Sequence, residues 1–546
     1  ALARARQGTG AAAPETLGTL RRRARSQAEL LTRALQSEGF YAARVTPEVT
    51  PAEGSARAGI THRVETGRRF TITGHTIRYA DTVATARPET LAAADIETSG
   101  SAEGTELRRI ERALLRHLHA TGFPAAASSG FRVEADFEAA TARVVYTVES
   151  GPRAIYGDLV IEGLERTERR FIRQLRTWET GEPVDLEALD AFRETLAETE
   201  LFSVITIEPG TPDARGRTPI RLTVAERPPR TVSLGASYST NVGPGVEASW
   251  THRNVFGAAE RLEAELKLAQ VLQGAGIGFS RPWNRINGRQ GARLTLERED
   301  SEAFMSQRIT AAIDATSRLS KWWRARAAVE LEASDSDDPV GGGSAYLLAV
   351  PLGLTYDSAD SVLDPRKGLR ATLELTPHGG TSDGEAVSFL KADARAAYYI
   401  PFSEEKRTVL AFWAHLGSIA GAELALIPSV RRYYAGGGGS VRAYGYQLIG
   451  PLAANDDPTG GRSVAEGGTE LRHMFTQTIG AALFVEAGTV TEAEYPDFGE
   501  DLLIGGGIGA RYLSPVGPIR LDLAVPFDKR DVDDGFQIHI SLGQAF

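Results

Sequence analysis

The sequence predicts an α+β repeat region over about residues 1–228, followed by an all-β, 16-stranded antiparallel transmembrane barrel over 229–546. Three observations predict it. Apolar and polar side chains alternate strand after strand in the second half; the first half repeats a helix-then-two-strands unit; and the second half holds sixteen candidate strands.

The alternation is clearest near the C-terminus. Ile519, Leu521, Leu523 and Val525 point one way, and Arg520, Asp522 and Ala524 the other. The closing segment repeats this, with Phe536, Ile538, Ile540, Leu542 and Phe546 opposite Gln537, His539, Ser541, Gly543 and Ala545, and Gln544 the exception. A period of two with one apolar face reads as a strand between lipid and a polar interior. Arg261–Leu268 has helix-forming residues, yet Arg261, Glu263, Glu265 and Lys267 all fall on odd positions, so period two prevails. From Arg230 to Phe546 there are about twenty residues per strand with its connection, enough for the roughly 9–11 that cross a bilayer. The last five strands are expected at 466–477, 479–490, 502–513, 518–527 and 535–546. Tight connections such as Ser514–Pro518 and long ones such as the acidic Ser334–Gly343 suggest short turns on one rim and long loops on the other. The longest connection, about 422–465, carries Gly436–Gly439 and then Val441-Arg442-Ala443-Tyr444-Gly445-Tyr446. Soluble barrels alternate too, but sixteen strands enclose a lumen too wide for side chains to fill, which puts the charged face inward.

In the first half, Gly39-Phe40-Tyr41-Ala42-Ala43 returns as Gly122-Phe123-Pro124-Ala125-Ala126. Val64-Glu65-Thr66-Gly67 likewise returns as Val148-Glu149-Ser150-Gly151, and a looser copy ends at Val224–Pro228. The implied beads are 1–67, 68–151 and 152–228, the first incomplete because no strand is evident before its helix.

Composition narrows the function. The chain has no cysteine, so neither disulfides nor thiolate metal sites are expected. A net charge of −10, with 61 basic and 71 acidic residues, argues against nucleic acid. No apolar run is long enough for a transmembrane helix, and a mean hydropathy of −0.22 is no objection, because alternating strands hide from averages. Export to an outer membrane needs a leader, and none is visible at Ala1, so the chain reads as processed or truncated. No enzyme, cofactor or metal site is expected. His117 and His119 lie two apart on a helix and face different ways. Gly274–Gly278 and Gly505–Gly509 open no helix, and Asp335, Asp337 and Asp338 read as a solvated loop more readily than as a calcium site.

The repeats, the sixteen strands and the Gly-rich loop with Val-Arg-x-Tyr ahead of the last five strands together resemble the outer-membrane assembly-factor superfamily of the BamA and TamA type. Asn254–Gly257, Tyr356-Asp357 with Leu363-Asp364-Pro365 and Gly368, Phe484–Gly488 and Ser514–Pro518 extend the resemblance over nearly the whole chain. Two to three beads, similar to POTRA domains, place it nearest TamA. The resemblance implies periplasmic POTRA domains and a barrel in the bacterial outer membrane that assembles unfolded outer-membrane and autotransporter polypeptides with a TamB-like partner. It also implies that the motif Val441, Arg442, Tyr444 and Gly445 folds into the lumen, with Glu470 and Glu486 the candidate partners of Arg442. The seam between the first and last strands, marked by Val232 and Leu234 on one side and Ile538, Ile540 and Phe546 on the other, would open for client strands. Two departures stand out: Ala443 where the family has Gly, and Glu486 where it has Asp. The alternatives are a two-partner secretion transporter, for which the basic N-terminal helix with Arg21–Arg23 would be a plug, and a passive porin or receptor barrel.

Overall fold

The computed structural model describes residues 16–546 except 52–57, 83–85, 240–242, 284–286, 403–404, 498–501, 516 and 543–546. The chain divides into two units, an N-terminal one of α+β beads and the barrel.

The first bead is a helix, α1 (Leu17–Ser37), and a hairpin of β1 (Arg44–Pro51) and β2 (Ala58–Glu65). Thr16 and Thr19 close a reciprocal cap at the start of α1, satisfying amides that the first turn leaves free. The second bead comprises β3 (Thr71–Tyr79), α2 (Gly104–Ala120), β4 (Ala127–Asp136) and β5 (Thr141–Glu149), in the sheet order β3-β5-β4 with β3 parallel to β5. Leu107, Ile110, Leu114 and Leu118 recur at helical spacing and are buried on Val144, Tyr146 and Val148. The third bead has β6 (Ile155–Glu162), α3 (Arg169–Gln174), α4 (Leu186–Glu198), β7 (Phe202–Pro209) and β8 (Arg217–Glu226), in the equivalent order β6-β8-β7. Trp178 stacks on Tyr156 at 4.8 Å and meets Phe192 edge-on at 5.0 Å.

The repeated Gly-Phe pair has a physical cause. Gly39 and Gly122 take left-handed φ values of 88° and 100°, after which the amides of Phe40 and Phe123 return to Leu35 and Leu118. Both helices thus end the same way, at a residue that a Cβ would strain. Residues 67 and 151 lie in connections between beads, and 228 in the connection from the third bead to the barrel.

The barrel runs through β9 (Arg230–Ser239), β10 (Gly243–Arg253), β11 (Arg261–Ala269), β12 (Leu272–Trp283), β13 (Gly288–Asp300), β14 (Met305–Arg318), β15 (Trp323–Asp337), β16 (Gly343–Ala349), β17 (Leu352–Asp357), β18 (Gly368–Ser382), β19 (Glu385–Pro401), β20 (Thr408–Ala420), β21 (Ser463–Met474), β22 (Ile479–Thr491), β23 (Leu503–Ser514), β24 (Gly517–Pro526) and β25 (Gln537–Leu542). Neighbours pair antiparallel and the ladder closes from β25 to β9. β16 and β17 both lie between β15 and β18 and are halves of one strand, interrupted at Val350-Pro351, where proline offers no amide to the ladder. The barrel therefore has sixteen strands. Its outer face carries exposed Val232, Leu234, Ile313, Leu331, Leu373 and Leu483, while Glu332, His415, Glu470, Glu486 and Asp522 are buried within.

Two expectations about the connections need correction. Ser334–Asp337 belongs to β15, so the acidic connection shrinks to 338–342; Asp335 accepts from Ser344 and Asp338 pairs with Arg432, leaving no open acidic loop. Nor are the rims divided into short and long. The rim bearing the 421–462 connection also has the two-residue turns 270–271 and 383–384, whereas 358–367 lies on the opposite rim. Loop length follows the local register of each hairpin, which alternation does not reveal.

Candidate functional site

The connection 421–462 folds into the barrel and fills part of its interior as a plug. Its tip, Val441–Tyr444, is almost fully buried in an apolar cluster with Ile419, Val464, Phe484 and Ala524. Arg442 lies at the centre. Its Nε and Nη2 donate to Glu486 Oε1 at 2.9 and 2.6 Å, its backbone amide to Glu486 Oε2 at 2.8 Å, and Nη1 reaches Glu470 and Asp522 at 2.8 Å each. The guanidinium lies 3.4 Å from the centre of the Phe484 ring.

The acids are shared. Arg472 and Arg511 also bind Glu470, at 2.7 and 3.2 Å, and Arg511 and Arg520 flank Asp522. Four arginines thus meet three carboxylates, a nearly neutral network in which each buried charge has a partner. Glu470 and Glu486 come together with Arg442, as does Asp522, which the sequence reading did not assign to it; its inward parity in Ile519–Val525 was the available signal. Tyr444 donates to the Ile504 carbonyl at 2.9 Å. Gly445, in the turn that follows, accepts from the Leu448 amide.

Ala443 poses no conformational difficulty. Its φ is not left-handed, and its methyl occupies the space that Gly505 of β23 leaves open. A Cβ at Gly505 would collide with it.

Other contacts tie the plug to the far wall. Arg431 pairs with Glu332, and Arg432 with Asp338 at 2.9 Å; Tyr446 and Gln447 donate to Glu299 at 3.1 and 2.9 Å. Ser440 donates to Glu466, which also holds His415.

Among the described residues the seam is the least paired junction of the barrel. β9 pairs with β10 through ten residue pairs and β24 with β25 through six, but among the described residues β25 meets β9 only at His539↔Ser239 and Ile540↔Tyr238. Ile540 therefore sits in the seam. Val232 and Leu234 pair with Trp250 and Ala248 of β10, and no residue of β25 pairs with them among those described. Ile538 pairs with Leu523 of β24, and Phe546 lies outside the described residues. Two inward groups link the seam strand to the plug: His539 Nε2 donates to the Arg442 carbonyl at 2.9 Å, and Arg520, which bonds Ser541 of β25, donates to the Gly438 carbonyl at 3.0 Å.

Residues 254–546, more than half of the chain, match the Omp85 superfamily domain. The chain is 25% identical over 430 residues to a SAM50-like protein of Schizosaccharomyces pombe, covering 69% of this chain and 87% of that one. It is 20% identical over 483 residues to the outer membrane protein assembly factor BamA of Neisseria meningitidis, spanning 75% of this chain but 59% of that protein. Among solved structures, BamA from Haemophilus ducreyi lacking POTRA domains 1–3 superposes with a TM-score of 0.67 at 18% identity, covering 87% of this chain and all of the other. CdiB from Acinetobacter baumannii gives 0.52 at 13% identity, with 95% and 97% covered. At these identities the superpositions speak for the fold.

Proposed function

Because the chain belongs to the Omp85 superfamily, we propose that it is an outer-membrane protein assembly factor, and within that class one similar to TamA. The barrel sits in the bacterial outer membrane with its POTRA-like beads in the periplasm. Unfolded outer-membrane and autotransporter polypeptides are its clients, and a TamB-like protein is its periplasmic partner. It acts as a template and not as an enzyme, and needs no cofactor.

The observation that carries this reading is the seam, where among the described residues β25 and β9 share two ladder pairs. Most of the β9 edge has no partner on the seam side among the described residues, and an unpaired edge is a template to which another strand can add through its backbone. Client strands pairing there form the hydrogen bonds that insertion into lipid demands, so client folding itself drives the reaction.

A two-partner secretion transporter is the second reading, favoured by the likeness to CdiB. It needs a passage through the lumen. The helix that would serve as its plug belongs instead to the first bead, where α1 packs on β1. One experiment separates the two. Tyr238 and Ile540 face each other across the seam in a chain without cysteine, so a Tyr238→Cys/Ile540→Cys disulfide locks it cleanly. Assembly of a client barrel in proteoliposomes should fall at least tenfold when oxidised and recover on reduction. Full activity in the locked state refutes templating at the seam, and export of a soluble polypeptide through the locked barrel favours the transporter.

A further inference from the structure

The outer face of β12–β15 is not an even apolar wall. Across it, Phe279, Ala292, Ile313 and Val329 form one cross-strand row, and Ile277, Leu294, Ala311 and Leu331 the next. The two alanines are too short to fill the space between exposed Phe279, Ile277, Ile313 and Leu331, and a groove of about 490 Å³ runs obliquely over them.

One row nearer the rim on which β9 begins, Arg281 of β12 stands opposite Gln290 of β13. Arg281 shares the outward parity of Ile277 and Phe279 and is exposed. Turned so that its amide oxygen faces the guanidinium, Gln290 accepts from Nε and Nη2 at 2.7 and 2.9 Å. Among the described residues no carboxylate lies within ion-pair distance of Arg281, unlike Arg293 and Arg308 on the inner face of the neighbouring strands, which pair with Glu265 and Glu297. Trp283, beyond Arg281 on the same face, is the aromatic expected where hydrocarbon gives way to headgroups.

Depth agrees with that placement. From Arg281 to Gln273, the next polar residue on this face of β12, the strand rises about 27 Å, or about 20 Å across a bilayer at the usual tilt. The groove therefore lies within the hydrocarbon and Arg281 at its periplasmic edge. A guanidinium there without a counter-charge is disfavoured, and a phosphate diester would supply both the charge and a geometry that its planar fork matches.

We propose that β12–β15 form a binding site for one glycerophospholipid of the periplasmic leaflet, its phosphate on Arg281 and one acyl chain in the groove over Ala292 and Ala311. The site lies on the outer wall, away from both the plug and the seam, and its test does not depend on assembly activity.

The test is native mass spectrometry of the purified full chain in detergent, titrated with dioleoylphosphatidylglycerol or with dioleoylglycerol, which has the same chains and no phosphate. Wild type should retain one phospholipid and no dioleoylglycerol. Arg281→Gln and Ala292→Phe, which removes the charge and fills the groove respectively, should each weaken retention about tenfold, the scale of one charge-assisted contact. Folding is checked by heat-modifiable gel mobility. Retention within twofold of wild type in Arg281→Gln, or equal retention of dioleoylglycerol, overturns the proposal; so does loss in Arg281→Gln with none in a folded Ala292→Phe. If Ala292→Phe does not fold, Ala311→Phe takes its place under the same criterion.

Discussion

Replacing Arg442 by alanine tests the plug network most directly, because the loss is borne unequally. Glu470 keeps Arg472 and Arg511, and Asp522 keeps Arg511 and Arg520. Glu486, 2% exposed, loses its side-chain partner and among the described residues retains only the amide of residue 442. Removing one member of a buried pair and stranding the other costs about 3–5 kcal/mol. That multiplies the population of released plug by a factor of about a hundred to a few thousand. The amides of Tyr433, Gly437, Tyr444 and Ile449, each bonded within the docked loop, report that release directly. Hydrogen exchange of 433–450 in lipid nanodiscs should accelerate by that factor in Arg442→Ala, and Glu486→Gln in the same background should restore much of the protection by removing the stranded charge. Exchange in Arg442→Ala within tenfold of wild type, or no recovery with Glu486→Gln, refutes the idea that this arginine pins the loop.

Two further outcomes follow from single atoms. Gly505→Ala puts a methyl where Ala443 already sits, so the plug should lift and 433–450 should exchange faster, while the double change Gly505→Ala/Ala443→Gly restores wild-type protection. In the second bead, the Arg109 hydrogen bond outweighs burial and brings the Glu106 carboxyl from 4.5 down to about 2. A depressed folded-state pKa contributes stability that is present above the unfolded value and lost as pH falls from about 4.5 towards 2. Arg109 is largely exposed, so the effect is modest. Followed by circular dichroism in the full chain, Glu106→Gln should flatten the pH dependence of helix unfolding in that window and leave it unchanged above pH 6; an unaltered acid limb would refute the assignment.

The barrel was legible because burial on one face imposes a period of two, which is plain in strands such as β12, β16 and β24. The beads were legible because two helices end with the same left-handed glycine. Two of the acids that reach Arg442, Glu470 and Glu486, were named from the resemblance, whereas Asp522 was not. Glu470, Glu486 and Asp522 sit on three strands and on three adjacent rows of the ladder, Glu470 level with Phe484, Glu486 with Gly468 and Asp522 with Gly509, and only the register of β21 to β24 sets them around one arginine. The fit of Ala443 against Gly505 joins residues 62 apart, and no local pattern encodes it. The acidic Asp335–Asp337 was read as loop because charge is a poor mark of strand ends where strands project beyond the membrane. Among the described residues Val232 and Leu234 pair with β10 alone, a matter of ladder register that alternation cannot specify.

Register also decides which side of β25 gives way. Among the described residues the strand has six pairs to β24 and two to β9, so over these residues a rupture on the β9 side breaks fewer hydrogen bonds, each worth about 1 kcal/mol net. His539 and the Arg520–Ser541 bond add to the β9-side closure only indirectly, by holding the inner face of β25 and β24 to the plug backbone at Arg442 and Gly438. These plug contacts equal the two ladder pairs in order of magnitude. The position of β25 is accordingly set as much by the docked loop as by β9, and the carboxylates that fix Arg442 bear on the seam through a single intervening carbonyl. A strand held this way moves with β24 as one hairpin, which leaves the β9 edge as the surface exposed on opening.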